Sequence, residues 1–200
     1  MKNLNDTYWS TRYAANQTGW DLGVVSPPIK AYADQLTDKS LRVLIPGCGN
    51  AHEAEYLLSE NFDNITLIDI SEILVNNIKS KYSEFIENSK LNIVYGDFFE
   101  HQGNYDLIIE QTFFCALDPS LRKEYAEKMS ELLATNGRLV GVMFNREFVG
   151  GPPFGGSMEE YRTYFEPYFE FHTFEPCYNS IPPREGSELF INLRRKSVTF

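Results

Sequence analysis

The amino-acid sequence predicts a doubly wound, Rossmann-like α/β fold, and three observations carry that expectation. Short apolar runs rich in Val, Leu and Ile alternate with longer stretches of helical periodicity. The first run, Leu41-Arg42-Val43-Leu44-Ile45, breaks at Pro46-Gly47-Cys48-Gly49 before the helix-like Ala51-His52-Glu53-Ala54-Glu55-Tyr56-Leu57-Leu58, giving a strand, a tight turn and a helix. A second run, Ile65-Thr66-Leu67-Ile68-Asp69-Ile70, ends in a carboxylate roughly 20 residues beyond the glycines, the interval found in nucleotide-binding sheets.

Taken in order, the chain opens with a leader in which Tyr8-Trp9-Ser10-Thr11-Arg12-Tyr13 begins a helix, followed by Gln17-Thr18-Gly19-Trp20-Asp21-Leu22-Gly23. Trp9 and Tyr13 are four residues apart and share a helix face. These aromatics either fasten the leader to the core or wall a cationic ligand, since ring faces attract cations. Ser26-Pro27-Pro28 opens a helix to about Leu36, with Ser26 as its cap. Glu72 to about Glu87 reads as one long helix, Leu91-Asn92-Ile93-Val94-Tyr95 as the third strand, and Tyr105 to Glu110 as the fourth. Asp118-Pro119-Ser120 starts a helix running to about Ala134 and stopped by Asn136-Gly137, and Arg138 to Phe144 is the fifth strand. Asn145 to Ser157 is a Gly/Pro-rich loop long enough for a lid. A short helix near Met158–Phe165 and two closing strands, about Phe169–Cys177 and Ser187–Lys196, complete the pattern. The alternation implies a parallel sheet, with right-handed crossovers stacking helices on both faces.

With 200 residues and 42% apolar content the chain suits one domain, residues 1–200. Its 28 acidic and 18 basic side chains give a net charge of −10, which repels a phosphate backbone and excludes nucleic acid as an expected partner. No apolar run reaches membrane-spanning length, and the polar start Met1-Lys2-Asn3-Leu4-Asn5-Asp6 is not a signal peptide. Cys48, Cys115 and Cys177 fit neither a disulfide framework nor a zinc spacing, so a cytoplasmic protein with reduced thiols and no metal is expected.

The turn and the acid together narrow the ligand. A nicotinamide fingerprint wants Gly or Ala where His52 stands, whereas Gly47-x-Gly49-x-Ala51 matches the looser spacing of S-adenosylmethionine sites. Asp69 is the candidate for ribose hydroxyls, its alternative being a helix cap, a role for which Ser71 is better placed. Gly96-Asp97-Phe98-Phe99 follows the third strand directly, so Asp97 and Phe98 are candidates for an adenine amino group and ring, or else form a turn over a buried ring. Glu110 and Gln111 end the fourth strand on the same rim as the glycines. His52, His101 and His172 are scattered and are expected to be structural or exposed. Arg146 and Arg184 lie in the two late loops, as attractors of an anionic acceptor or as surface charge.

The ordered set of motifs resembles the thiopurine S-methyltransferase superfamily, nearest the branch that methylates thiols, thiocyanate and halides. It comprises Trp9 with Tyr13, Thr18-Gly19-Trp20-Asp21-Leu22-Gly23, Pro46-Gly47-Cys48-Gly49, Asp69-Ile70-Ser71, Gly96-Asp97-Phe98-Phe99, Thr112-Phe113-Phe114-Cys115-Ala116-Leu117, Gly151-Pro152-Pro153-Phe154 and Ile181-Pro182-Pro183-Arg184. The resemblance implies a class I methyltransferase fold, a seven-stranded mostly parallel sheet with an antiparallel closing strand and a helical leader over the cofactor. It also implies S-adenosyl-L-methionine as methyl donor and a small-molecule acceptor, in a monomer or weak dimer. By that resemblance residues 1–24 form an aromatic lid, 41–144 the cofactor-binding core and 145–200 the acceptor side. Trp9, Tyr13 and Trp20 would line the donor pocket, Gly47 would meet its amino-acid end, Asp69 would hold the ribose and Asp97 with Phe98 the adenine; Gly49, Ile70, Glu110 and Gln111 are further candidates for cofactor binding. Independently of the resemblance, Trp20, Phe114, Arg146, Phe154 and Arg184 are the candidates for the acceptor. Tyr13 stands where the family often has a second tryptophan, and Glu110-Gln111 where it commonly has Asp followed by Arg or Tyr. Two other readings of the residues remain beside it, a nicotinamide-dependent oxidoreductase and a non-catalytic protein that keeps the donor pocket.

Overall fold

The computed structural model describes residues 4–197, so the opening Met1-Lys2-Asn3 and the final Val198-Thr199-Phe200 lie outside the described residues. Seven strands form one sheet: β1 (Val43–Pro46), β2 (Ile65–Asp69), β3 (Leu91–Tyr95), β4 (Tyr105–Gln111), β5 (Leu133–Phe144), β6 (Phe169–Pro176) and β7 (Glu188–Arg195). Their order is β3-β2-β1-β4-β5-β7-β6. The pairings from β3 across to β5 are parallel, and β7 runs antiparallel to both β5 and β6. The winding reverses between β1 and β4, and such a switch point opens a crevice at the carboxyl ends of the strands.

Helices α1 (Asp6–Ala14), α2 (Pro27–Ala33), α3 (His52–Ser59), α4 (Glu72–Lys81), α5 (Ser83–Glu87), α6 (Arg122–Leu132) and α7 (Met158–Phe165) accompany the sheet. Because strand side chains alternate in direction, the sheet's residues divide between two apolar clusters. Val43, Ile45, Leu67 and Ile109 join Leu57, Leu74 and Ile78 in one, while Leu44, Ile68 and Ile108 join Tyr125, Met129 and Phe165 in the other. Burial on both sides explains why β1 and β2 read as continuous apolar runs.

Three local expectations are corrected. The long helix from Glu72 is two helices, broken at Tyr82, whose φ is −112° and whose side chain turns inward to donate to Glu55 at 2.9 Å. Ser26 holds the cap position of α2, yet its side chain makes no capping bond; Pro27 and Pro28 supply no amide, and the Ser26 amide donates instead to buried Glu53 at 3.1 Å. Asn136-Gly137 does not stop α6, which ends at Leu132. It kinks β5, with Asn136 at φ 65° and a register shift opposite Tyr105 and Leu107.

Near its end β4 carries Glu110, which is fully buried. Its Oε1 accepts the amides of Phe113 and Phe114 at 2.7 and 3.0 Å, and its Oε2 accepts the Tyr125 hydroxyl. Burial pushes its pKa from the ordinary 4.5 up to about 7, against the pull of these donors. A raised acid adds stability that is full below its unfolded pKa and lost as pH rises through the folded one. Stability measured by denaturant should therefore fall between pH 4.5 and about 7, by up to roughly 1.4 kcal/mol per pH unit from this group. Glu110→Gln, which keeps the acceptor and replaces the protonated oxygen with a donor, should flatten that part of the profile. An unchanged slope would assign the titration to another group.

Candidate active site

The turn after β1 is built by residues in left-handed backbone conformations: Gly47, Gly49 and Ala51 have φ of 57°, 51° and 62°. Gly47 is required twice over, because a Cβ there would also lie 2.2 Å from the Phe113 ring. Its amide donates to the Ile68 carbonyl at 2.8 Å, which fixes the turn to the end of β2. The Tyr13 hydroxyl lies over Gly49, 3.6 Å from where its Cβ would be.

Above this turn opens a cavity of about 860 Å³. That lies within the roughly 300–1,000 Å³ typical of small-molecule sites. Trp9, Tyr13 and Trp20 of the leader, Gly47 and Gly49, Asp69 and Ile70 line it, as do Asp97, Phe98, Gln111, Arg146 and Arg184. Three expected residues do not line it. Glu110 is spent on the turn after β4. Phe114 is buried against Tyr125 and Tyr161, with ring centroids at 5.0 Å from each. Phe154 braces the late loop, its amide donating to the Cys115 carbonyl at 2.7 Å.

Asp69 ends β2 inside the cavity wall and is 8% exposed. Burial pushes its pKa up to about 6, opposed by the amides of Ser71, Gly49 and Ile70; the Ser71 amide lies 2.9 Å from Oδ1. Capping of α4 falls to Ser71, whose Oγ accepts the Leu74 amide at 3.3 Å. Asp97 accepts the Phe99 amide at 2.9 Å, and Phe98 packs edge-on against Phe99 and Phe113. Gln111 keeps a buried Oε1 without a hydrogen-bond partner.

The leader is tied at both ends. Asp6 accepts the Glu72 amide at 2.9 Å and the Ser10 hydroxyl at 2.7 Å, and Ser10 and Ser71 hydroxyls meet at 2.9 Å, so α1 docks on the start of α4. Trp20 receives Trp9 and Tyr13 edge to face at 5.6 and 5.8 Å. Beyond it, Asp21 bonds the Gly23 amide at 2.9 Å, His52 Nε2 at 2.7 Å and the Asn50 amide group. Burial alone would raise Asp21, but these three partners hold it below the usual carboxylate range. Arg184 is buried rather than on the surface; it donates to the Trp20 carbonyl at 2.7 Å and pairs with Glu188 at 3.2 Å. Sequence reasoning missed this latch, since no spacing links positions 21, 52 and 184. Among the described residues no cluster of His, Cys, Asp and Glu could hold a metal ion, and no helix is long and apolar enough to cross a membrane.

Comparison with known proteins places this geometry in a family. The model of the thiopurine S-methyltransferase family matches residues 4–193. The chain is 32% identical over 196 residues to a probable thiol methyltransferase 2 of Arabidopsis thaliana, covering 96% of this chain and 86% of that one. It is 30% identical over 192 residues to thiocyanate methyltransferase 1 of Arabidopsis thaliana, covering 94% and 84%. Among solved structures, a Burkholderia thailandensis 1,6-didemethyltoxoflavin-N1-methyltransferase with bound 1,6-didemethyltoxoflavin and S-adenosylhomocysteine has the same fold. Its TM-score is 0.74 at 15% identity, covering 96% of this chain and 87% of that one. The chain belongs to the thiopurine S-methyltransferase family, and the S-adenosylmethionine-dependent methyltransferase class expected from its sequence stands.

Proposed function

We propose that this chain moves a methyl group from S-adenosylmethionine to a small nucleophile, most directly a thiol, at the cavity over β1, β2 and β4. The observation that carries this reading is the pairing of a buried carboxylate, Asp69, with a wall of three aromatic rings across one bare glycine turn. Asp69 accepts the ribose hydroxyls, the glycines let the amino-acid end approach the backbone, and Asp97 with Phe98 takes the adenine. Asp21, bonded to Asn50 and to the first residue of α3, puts a carboxylate where a dinucleotide would need room for its pyrophosphate. That disfavours a nicotinamide cofactor.

When bound, S-adenosylmethionine supplies a methyl carbon activated by the positive charge on sulfur. The chain's part is to exclude water and align the acceptor lone pair with that carbon. Trp9, Tyr13 and Trp20 line the cavity with rings whose faces favour a cation and whose bulk keeps the site dry. An acceptor thiol of modest pKa ionises near neutral pH without a dedicated base, so no side chain is assigned that role. Cys48 and Cys115 line the cavity, but burial pushes both thiols well up, and neither competes as a nucleophile.

Calorimetry tests the donor: S-adenosylhomocysteine should bind and NAD should not, and the reverse pattern would sink the reading. Asp69→Ala should weaken S-adenosylhomocysteine by roughly 1.5–3 kcal/mol, tenfold or more, the scale of bonds to a charged group. Because ribose hydroxyls favour the ionised form, wild-type affinity should also decline as pH falls through about 6. A folded Asp69→Ala variant with unchanged affinity and pH profile would remove Asp69 from the site. Trp9, only half-buried in the structure, should cost donor affinity more than folding stability when changed to Ala. Loss of several kcal/mol of stability with little loss of binding would make it a core residue.

A further inference from the structure

We propose that the acceptor is a thiol carrying a carboxylate on an apolar body, and that Arg146 is the residue that selects it; this rests on the methyl-transfer reading above. Phe144 and Phe148 line one part of the cavity and meet edge to face at 4.9 Å. A guanidinium lies against each ring, Arg184 at 5.2 Å from Phe144 and Arg146 at 4.8 Å from Phe148. The two cations differ in what they have left to give. Arg184 is engaged by Glu188 and the Trp20 carbonyl. Arg146 is exposed and, among the described residues, pairs with no carboxylate; its contact with the Glu147 carbonyl is long, at 3.5 Å.

The backbone beneath Arg146 is fixed. Its carbonyl accepts the Gly156 amide at 3.0 Å, and the preceding Asn145 donates to the Ser187 carbonyl at 2.8 Å while its Oδ1 takes the Met158 amide at 2.9 Å. A Cβ on Gly155 would fall 2.0 Å from the Arg146 carbonyl oxygen, so the loop closes on this residue only with glycine there. The chain thus anchors Arg146 just past the end of β5, with its guanidinium 4.8 Å from the Phe148 ring. The planar guanidinium matches a carboxylate in a two-pronged geometry. On a chain of net charge −10, an anionic acceptor needs such a local cation to be drawn in. None of the carboxylates on the cavity wall pairs with it: Asp97 and Asp118 accept amides of their own turns, Asp69 and Glu53 accept the Ser71 and Ser26 amides, and Asp21 is latched to His52.

The test compares a mercaptobenzoate with its carboxamide as methyl acceptors for wild type, Arg146→Ala and Arg146→Lys, with calorimetry of both compounds on the S-adenosylhomocysteine-loaded protein. Arg146→Ala should lose kcat/KM on the carboxylate at least about tenfold more than on the amide, the worth of a charged hydrogen-bonded pair. The loss should sit in KM rather than kcat, with Arg146→Lys recovering part of it. Equal losses on both acceptors, or none on either, would overturn the proposal. Absence of turnover on every acceptor would defeat the methyl-transfer reading instead. In that case carboxylate-selective binding that Arg146→Ala weakens would still support Arg146, and unselective binding would overturn its role.

Discussion

The contact between Gly47 and Phe113 joins two chain segments that are otherwise far apart, the turn after β1 and the turn after β4. The ring occupies the space where any other residue at position 47 would place its Cβ. Phe113 is held there by its amide bond to Glu110. Thr112 meanwhile has φ 62°, a conformation that costs a β-branched residue on the order of 1–3 kcal/mol. That strain persists because Glu110 gathers the next two amides and the Cys115 thiol bonds the Thr112 carbonyl at 3.0 Å. The cavity floor at the switch point is therefore set by one buried acid acting through one ring on one glycine.

The leader extends the same logic to the roof. An N-terminal segment stays ordered only where something holds it. Here polar bonds from Asp6 and Ser10 hold one end on α4, and Asp21 and Arg184 hold the other on α3 and on the loop before β7. His52 opens α3, and the 2.7 Å bond between its Nε2 and Asp21 ties the start of that helix to the leader. The aromatic cluster between these anchors needs only to pack its rings.

Most of the fold was legible because period and punctuation report local physics. β1, β2 and β4 announced themselves as apolar runs, and the Gly47–Ala51 turn as a break that needs left-handed residues. Local signals misled where a tertiary partner outweighed them. Tyr82 breaks a continuous helical pattern to reach Glu55, and Asn136-Gly137, a good stop signal, kinks a strand whose pairing with β4 begins earlier. In the site, residues carried by a motif next to a strand end, such as Asp69 and Asp97, line the cavity as their position implies. Glu110, one residue before Gln111 on the same strand, points the other way because strand side chains alternate. Arg184 read as a free cation because its bond to the Trp20 carbonyl spans 164 positions, and the Glu188 carboxylate four residues on was not weighed as a partner.

The two raised acids show how similar burial serves opposite ends. Glu110 is closed in on every side, so its charge has no outside partner and its role ends in holding a turn. Asp69 is desolvated by the same sheet but faces the cavity, where a ligand's hydroxyls can stabilise its ionised form. Together with Asp21 and Glu53 it makes the wall beside the glycine turn acidic, while the late loop brings Arg146 to the same cavity. Carboxylates and an unpaired cation thus stand at separate places on the wall of one cavity, among the described residues.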